Sequence, residues 1–147
     1  MFNPESFLDQ VITQANDTTQ TPVPAGEFLA VIKELKPNTW QSKDGTKSGL
    51  KLDITWIIED DGVKAELGRT SVTCRQSIML DVTEAGGLDM GKGKNIGLGK
   101  LRTAVNMNAP GQPFSPSQLI GQCARVTVEH RIHNDAIYAE VKGVAPM

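Results

Sequence analysis

The sequence predicts a mainly β protein built as one five-stranded barrel, and three observations carry that prediction. From residue 26 onward, apolar residues recur at every second position in five separate segments. Clusters of Gly, Asn, Asp, Ser and Pro separate these segments. A single stretch with helical spacing falls between the third segment and the fourth.

The elements follow in chain order. Asn3 is placed to cap a helix, with Pro4 at its first position and Glu5 and Asp9 near its positive end. Phe2 and Phe7 occupy the two positions of a hydrophobic staple. Phe7, Leu8, Val11, Ile12 and Ala15 then line one face, which predicts an N-terminal amphipathic helix over residues 1–16. Residues 17–25, DTTQTPVPA, read as a linker. The barrel domain occupies residues 26–147. Its first strand is expected over Gly26–Pro37, and Asn38–Gly49 is a loop rich in turn formers. Leu50, Leu52, Ile54, Trp56 and Ile58 alternate with Lys51, Asp53, Thr55, Ile57 and Glu59, a half-buried strand with Trp56 in the core. Asp60-Asp61-Gly62 reads as a turn. Arg69–Val82 alternates again, with Gln76 interrupting the apolar side. Residues 84–100, EAGGLDMGKGKNIGLGK, are a glycine-loosened loop, and Leu98, Leu101, Ala104 and Val105 predict a helix that ends before Pro110. Ser115-Pro116 starts one more helical turn. The last two strands run from Ala124 to Ile132 and from Ile137 to Lys142, joined at His133-Asn134-Asp135. Five short strands with a helix between the third and fourth is the order of an OB-fold barrel, and closure hides the sheet edges. Other small β barrels and an open α+β sheet share parts of this pattern.

Composition narrows the function. The 147 residues suffice for one domain with its own core. No stretch approaches 18 apolar residues, and the N-terminus shows no basic start followed by an apolar run, so neither a membrane span nor a secretory signal is expected. Cys74 and Cys123 are too few for a disulfide framework, which makes a reducing compartment, the cytoplasm, the default. The net charge of −2 argues against coating nucleic acid by bulk charge. The layout is uneven, however. Residues 1–30 hold four acids and no Lys or Arg, whereas residues 92–128 hold Lys92, Lys94, Lys100, Arg102 and Arg125 and no acid. A basic centre of this kind suits an anionic partner.

Signatures of catalysis are missing from the pattern. The glycine-rich run fails the Walker spacing because Leu101 follows Gly99-Lys100, and fails G-x-G-x-x-G because Ile96 stands at the third glycine position. Its backbone amides remain a candidate phosphate nest. His130 and His133 are the only histidines, and a three-residue step along a strand sends them to opposite faces, so no metal is expected. No nucleophile–base set assembles locally. The expectation is a protein that is not an enzyme and carries no cofactor.

Single-strand binding needs cations that follow the phosphates and flat rings on which bases stack. Trp40, with Lys43 and Lys47, stands in the first loop without local apolar partners and is the candidate stacking ring, a cap on the barrel being the competing placement. Lys51 on the second strand and Arg75 on the third occupy outward positions. Lys92, Lys94, Lys100 and Arg102 form a second basic element. Arg125, Arg131 and Tyr138 lie on outward positions of the last two strands. With aromatics at 5%, binding should lean on charge, and contact with about four to six phosphates gives a log–log salt slope of roughly −3 to −4.

The stretches PAGEFLAVIKELKP, DGTKSGLKLDITWII, GGLDMGKGKNIGLGKLR, PGQPFSPSQLIGQ and EVKGVAPM resemble a group of small phage-encoded OB-fold proteins that are similar to single-stranded DNA-binding proteins. The likeness covers roughly residues 24–145. It implies protection of displaced single strands in a phage replication or recombination module, in the host cytoplasm; binding without strong sequence preference is the expectation from the cations and stacking ring. It assigns no individual ligand residue. Cellular proteins of that function often end in an acidic, partner-recruiting tail, whereas this chain closes with VKGVAPM. The acidic N-terminal segment is a candidate for that role, or for homo-oligomerisation. The competing expectation is a β-barrel interaction or virion-assembly module that oligomerises through its N-terminal helix.

Overall fold

A computed structural model describes residues 3–16 and 21–147. The period-two segments become β1 (Gly26–Gln41), β2 (Ser48–Ile58), β3 (Thr73–Leu80), β4 (Cys123–His133) and β5 (Ala136–Ala145). They close into a barrel in the order β1-β2-β3-β5-β4, with β1 paired to both β2 and β4. Every pairing is antiparallel except β3–β5, which is parallel and consists of one pair, Arg75 with Glu140. Inward positions fill the barrel: Ala30, Ile32, Leu52, Ile54, Trp56, Ile58, Ile78, Val126, Val128 and Val141 are buried. Removing this apolar surface from water is the main stabilising term. Gln76, the polar residue on the apolar side of β3, has a specific task. Its Oε1 accepts the indole N–H of the fully buried Trp56 at 2.9 Å, which satisfies a donor that water cannot reach.

β1 is long enough to serve two partners because it bends. Its register slips between Ile32 and Glu34, leaving Lys33 as the extra residue of a bulge. Before the bulge the even-numbered residues face inward. After it Leu35, Pro37 and Thr39 stand opposite Ile54, Leu52 and Leu50, so the odd residues face inward. Lys36, Asn38 and Trp40 are thereby turned to the outer surface.

Two helices connect strands. α1 (Asp61–Leu67) links β2 to β3, capped by the Asp60 side chain on the Val63 N–H at 2.9 Å and ended by Gly68 at φ +64°. Asp60-Asp61-Gly62 reads as a turn in the sequence, yet Asp60 caps a helix here, Val63 is buried and Gly68 ends it. α2 (Ile96–Ala104) lies between β3 and β4 in the chain and buries Leu98, Leu101 and Ala104. Its start is locked by Asn95. The Asn95 Oδ1 accepts from the Asp81 N–H at 2.8 Å, and its Nδ2 donates to the carbonyls of Asp81 and Asp89 at 2.8 and 2.9 Å. The Asp81 carboxylate in turn accepts from the Asn95 N–H at 2.9 Å. These bonds fix the glycine-rich loop to the end of β3. Pro116–Leu119 forms a 3-10 turn before β4.

The N-terminal expectation requires correction. Pro4–Asp9 is a 3-10 helix rather than an α-helix, and residues 11–16 are not helical. Asn3 does cap it, accepting from the Glu5 N–H at 3.0 Å. Phe7, Leu8, Val11 and Ile12 remain exposed, so the segment packs no apolar face on the barrel. A short helix without tertiary burial is marginal in water. Phe2, one half of the expected staple, and residues 17–20 of the linker lie outside the described residues. The first strand also runs four residues beyond the expected Pro37, which puts Trp40 in β1 instead of a loop. Among the described residues, no helix is long and apolar enough to cross a membrane.

Candidate functional site

The weak closure of the barrel opens a groove on its outer wall. Because β3 and β5 share a single pair, their facing edges part beyond Arg75, and α2 covers the gap from one end. Gly97 permits this approach, since a Cβ there would stand 3.0 Å from the Ile78 methyl. The resulting cleft of about 580 Å³ gathers Lys51 from β2, Arg75 from β3, Lys100 from α2, and Arg131 and Lys142 from β4 and β5. Two acids, Asp53 and Glu140, stand among these five cations. Ser77 and the exposed Met79 add a hydroxyl and an apolar surface to the β3 side.

Both acids are engaged. The Asp53 carboxylate accepts from the Ser77 hydroxyl and the Asn38 amide at 2.6 Å each, with Lys51 at 3.6 Å. Burial alone would raise its pKa, but these donors and the Lys51 charge outweigh it, and the carboxyl sits below its ordinary value. Glu140 is held by cations: Lys142 Nζ at 2.9 Å and Arg131 Nε at 2.8 Å. The hydrogen bond from Lys142 is the main cause of its lowered pKa, against a smaller desolvation cost. Arg75 and Lys100 make no ion pair among the described residues.

Trp40 lies on the same outer face, across β1–β2 from Gly49. The indole rests on the glycine backbone, where a Cβ would stand only 2.7 Å from its Nε1. Gly49 therefore gives the ring a flat seat beside Lys51. Lys43 and Lys47 project from the adjoining turn and are exposed. Asp44 organises that turn by accepting from the Ser42 hydroxyl at 2.6 Å and from the Thr46 N–H and hydroxyl at 3.0 and 2.7 Å. These bonds lower its pKa to about 2. Tyr138 pairs with Arg131 across β4–β5, with the guanidinium 5.7 Å from the ring centre.

Of the residues expected from the sequence, Lys51, Arg75, Lys100 and Arg131 meet at the groove, while Trp40 and Tyr138 stand outside its lining, on outer positions of the neighbouring β1 and β5. Six others do not line it, among them Lys43 and Lys47 of the β1–β2 turn. Arg102 is committed to the fold: its Nε donates to the Met107 carbonyl at 3.0 Å and its guanidinium lies 4.2 Å from the Phe114 ring centre. Arg125 stands between Leu29 of β1 and Ala145 of β5, on a wall made by different strand segments. Lys92 and Lys94 are exposed on the glycine-rich loop. The phosphate nest expected in that loop has one amide already taken, since Gly91 N–H donates to the Asp89 carboxylate at 2.9 Å. Lys142 was missed, although its alternation with Val141 marks it as outward-facing.

Other reactive groups have structural partners. Cys74 is buried beside Trp56, and burial pushes its thiol up to about 11. His130 Nε2 is 2.7 Å from the Val23 carbonyl, and His133 pairs with the Asn134 amide at 3.2 Å. Among the described residues, no group of three or more His, Cys, Asp or Glu is placed to hold a metal ion. No protein-family model matches the chain, and a search of curated proteins finds no match either.

Proposed function

We propose that the chain binds single-stranded DNA along this outer wall, without strong sequence preference, as a non-enzymatic member of a phage replication or recombination module. The observation that carries the proposal is the convergence of Lys51, Arg75, Lys100 and Arg131 from four separate elements on one groove. A chain of net charge −2 concentrates five cations there against two acids, which suits a phosphate backbone. Trp40, seated on Gly49 on the β1–β2 outer face, supports the reading as a platform for one base. Bulk charge would attract any polyanion, whereas a ring beside cations favours a strand with unpaired bases. The phage setting rests on the sequence resemblance.

The test is titration with oligo-dT at low and high salt, followed by tryptophan fluorescence, with duplex DNA as control. Quenching by the single strand that weakens with salt is expected. Equal binding of duplex, or binding insensitive to salt, overturns the proposal. One observation favours the second reading, an interaction or assembly module: Phe7, Leu8, Val11 and Ile12 stand exposed, away from the barrel. That reading requires no response to oligo-dT together with a mass, by light scattering, that rises with concentration.

A further inference from the structure

The groove contains its own competing anion. Of its two carboxylates, Asp53 is hydrogen-bonded by two neutral donors, Ser77 and Asn38, at 2.6 Å each, with the Lys51 ammonium farther off at 3.6 Å. Glu140 is bonded only by cations, Arg131 at 2.8 Å and Lys142 at 2.9 Å, one on each carboxylate oxygen. Two oxygens sharing a negative charge between a guanidinium and an ammonium reproduce what a phosphate group would offer the same pair. Glu140 also stands opposite Arg75 on β3, the one point where the barrel closes on that side. On its other flank it faces Glu129 of β4, a like charge directly across the ladder, which makes the carboxylate easier to displace from its cations.

We infer that Glu140 is an internal stand-in for phosphate: it holds Arg131 and Lys142 in place while the groove is empty and competes with the incoming backbone for them. This rests on the nucleic-acid reading of the groove and adds a device that limits affinity. A bound strand must either displace the carboxylate from both cations or leave them paired and use Arg75, Lys100 and Lys51 alone. In both cases the wild-type protein binds more weakly, and with a shallower salt dependence, than its five cations permit.

The experiment compares wild type, Glu140→Gln and Glu129→Gln in oligo-dT binding across a salt series, by anisotropy of a labelled strand. Glu140→Gln keeps the shape and releases both cations. It is expected to tighten binding about 2- to 10-fold at low salt and to steepen the log–log salt slope by roughly 0.7 for each added phosphate contact, up to about 1.4. Glu129→Gln removes the same formal charge from the residue opposite, which has no ion pair among the described residues, and is expected to change affinity less than twofold. Equal gains in the two variants would reduce the effect to net charge and overturn the inference. So would unchanged or weaker binding by Glu140→Gln when wild type binds. Absence of binding by wild type and both variants alike would overturn the nucleic-acid reading itself, and with it this inference.

Discussion

Gly49→Ala tests the seat of Trp40 without touching any cation. Gly49 is not at a positive φ, so the backbone accepts alanine without strain. The new methyl would lie 2.7 Å from the indole Nε1, 3.0 Å from Cε2 and 3.1 Å from Cζ2. Ordinary contact begins near 3.4 Å, so the ring must retreat by about 0.7 Å or rotate off the strand. Base stacking on an aromatic ring is worth about 1–3 kcal/mol. Trp40→Ala should lose all of that, a factor of roughly 5 to 150 in affinity, and Gly49→Ala a substantial part of it. The readout is anisotropy of labelled oligo-dT for the two single variants and the double variant. Thermal unfolding in parallel should show the midpoint shifted by no more than a few degrees, because the core is untouched. In the Trp40→Ala background, Gly49→Ala should have no further effect. Full-strength binding by Gly49→Ala, or additive losses in the double variant, would show that the flat indole is not a base platform.

Three further outcomes follow from the same geometry. Wild-type affinity for oligo-dT should fall with a log–log salt slope of roughly −3 to −4, and Arg75→Ala or Lys100→Ala should each reduce that slope by roughly 0.7, whereas Arg125→Ala should leave it unchanged. Gln76→Leu strips the buried Trp56 indole of its acceptor and should cost about 1–3 kcal/mol, read as a lowered midpoint in urea or heat with binding retained. Asp53 has a folded pKa below its ordinary value, so its contribution to stability is fully present above the unfolded carboxylate range and is lost as pH falls through the lower folded value. Asp53→Asn should therefore flatten the acid limb of the stability–pH profile below about pH 4, and an identical limb in both proteins would assign acid sensitivity to other carboxylates.

Much of the barrel is legible in the chain because strand alternation is local. Leu52, Ile54 and Trp56 share a face for reasons contained within the five residues 52–56, and they are buried together. The same rule places Lys51 on the outer side of β2 and Arg75 on that of β3. The α1 helix was legible too, from Asp60 and Gly68, but the Asp-Gly dipeptide reads equally well as a turn. The N-terminal segment shows the opposite failure. Its caps and spacing describe a helix, yet helical spacing alone does not stabilise a short segment that has nothing to pack on.

What the sequence by itself determined is the set of strands, the side chains that alternate on each, and the presence of a basic centre in an almost neutral chain. Only the tertiary structure decided which outward faces form one wall. The bulge at Lys33 reverses the alternation of β1 and turns Trp40 outward. The single β3–β5 pair opens the groove, and α2 brings Lys100 to it while Arg102, two residues later, is drawn to Phe114. The physical reason is one of range. Periodicity fixes the two sides of each strand from neighbouring residues, whereas a wall is shared by strands far apart in sequence, and its composition depends on closure and on one inserted residue that reverses every position after it.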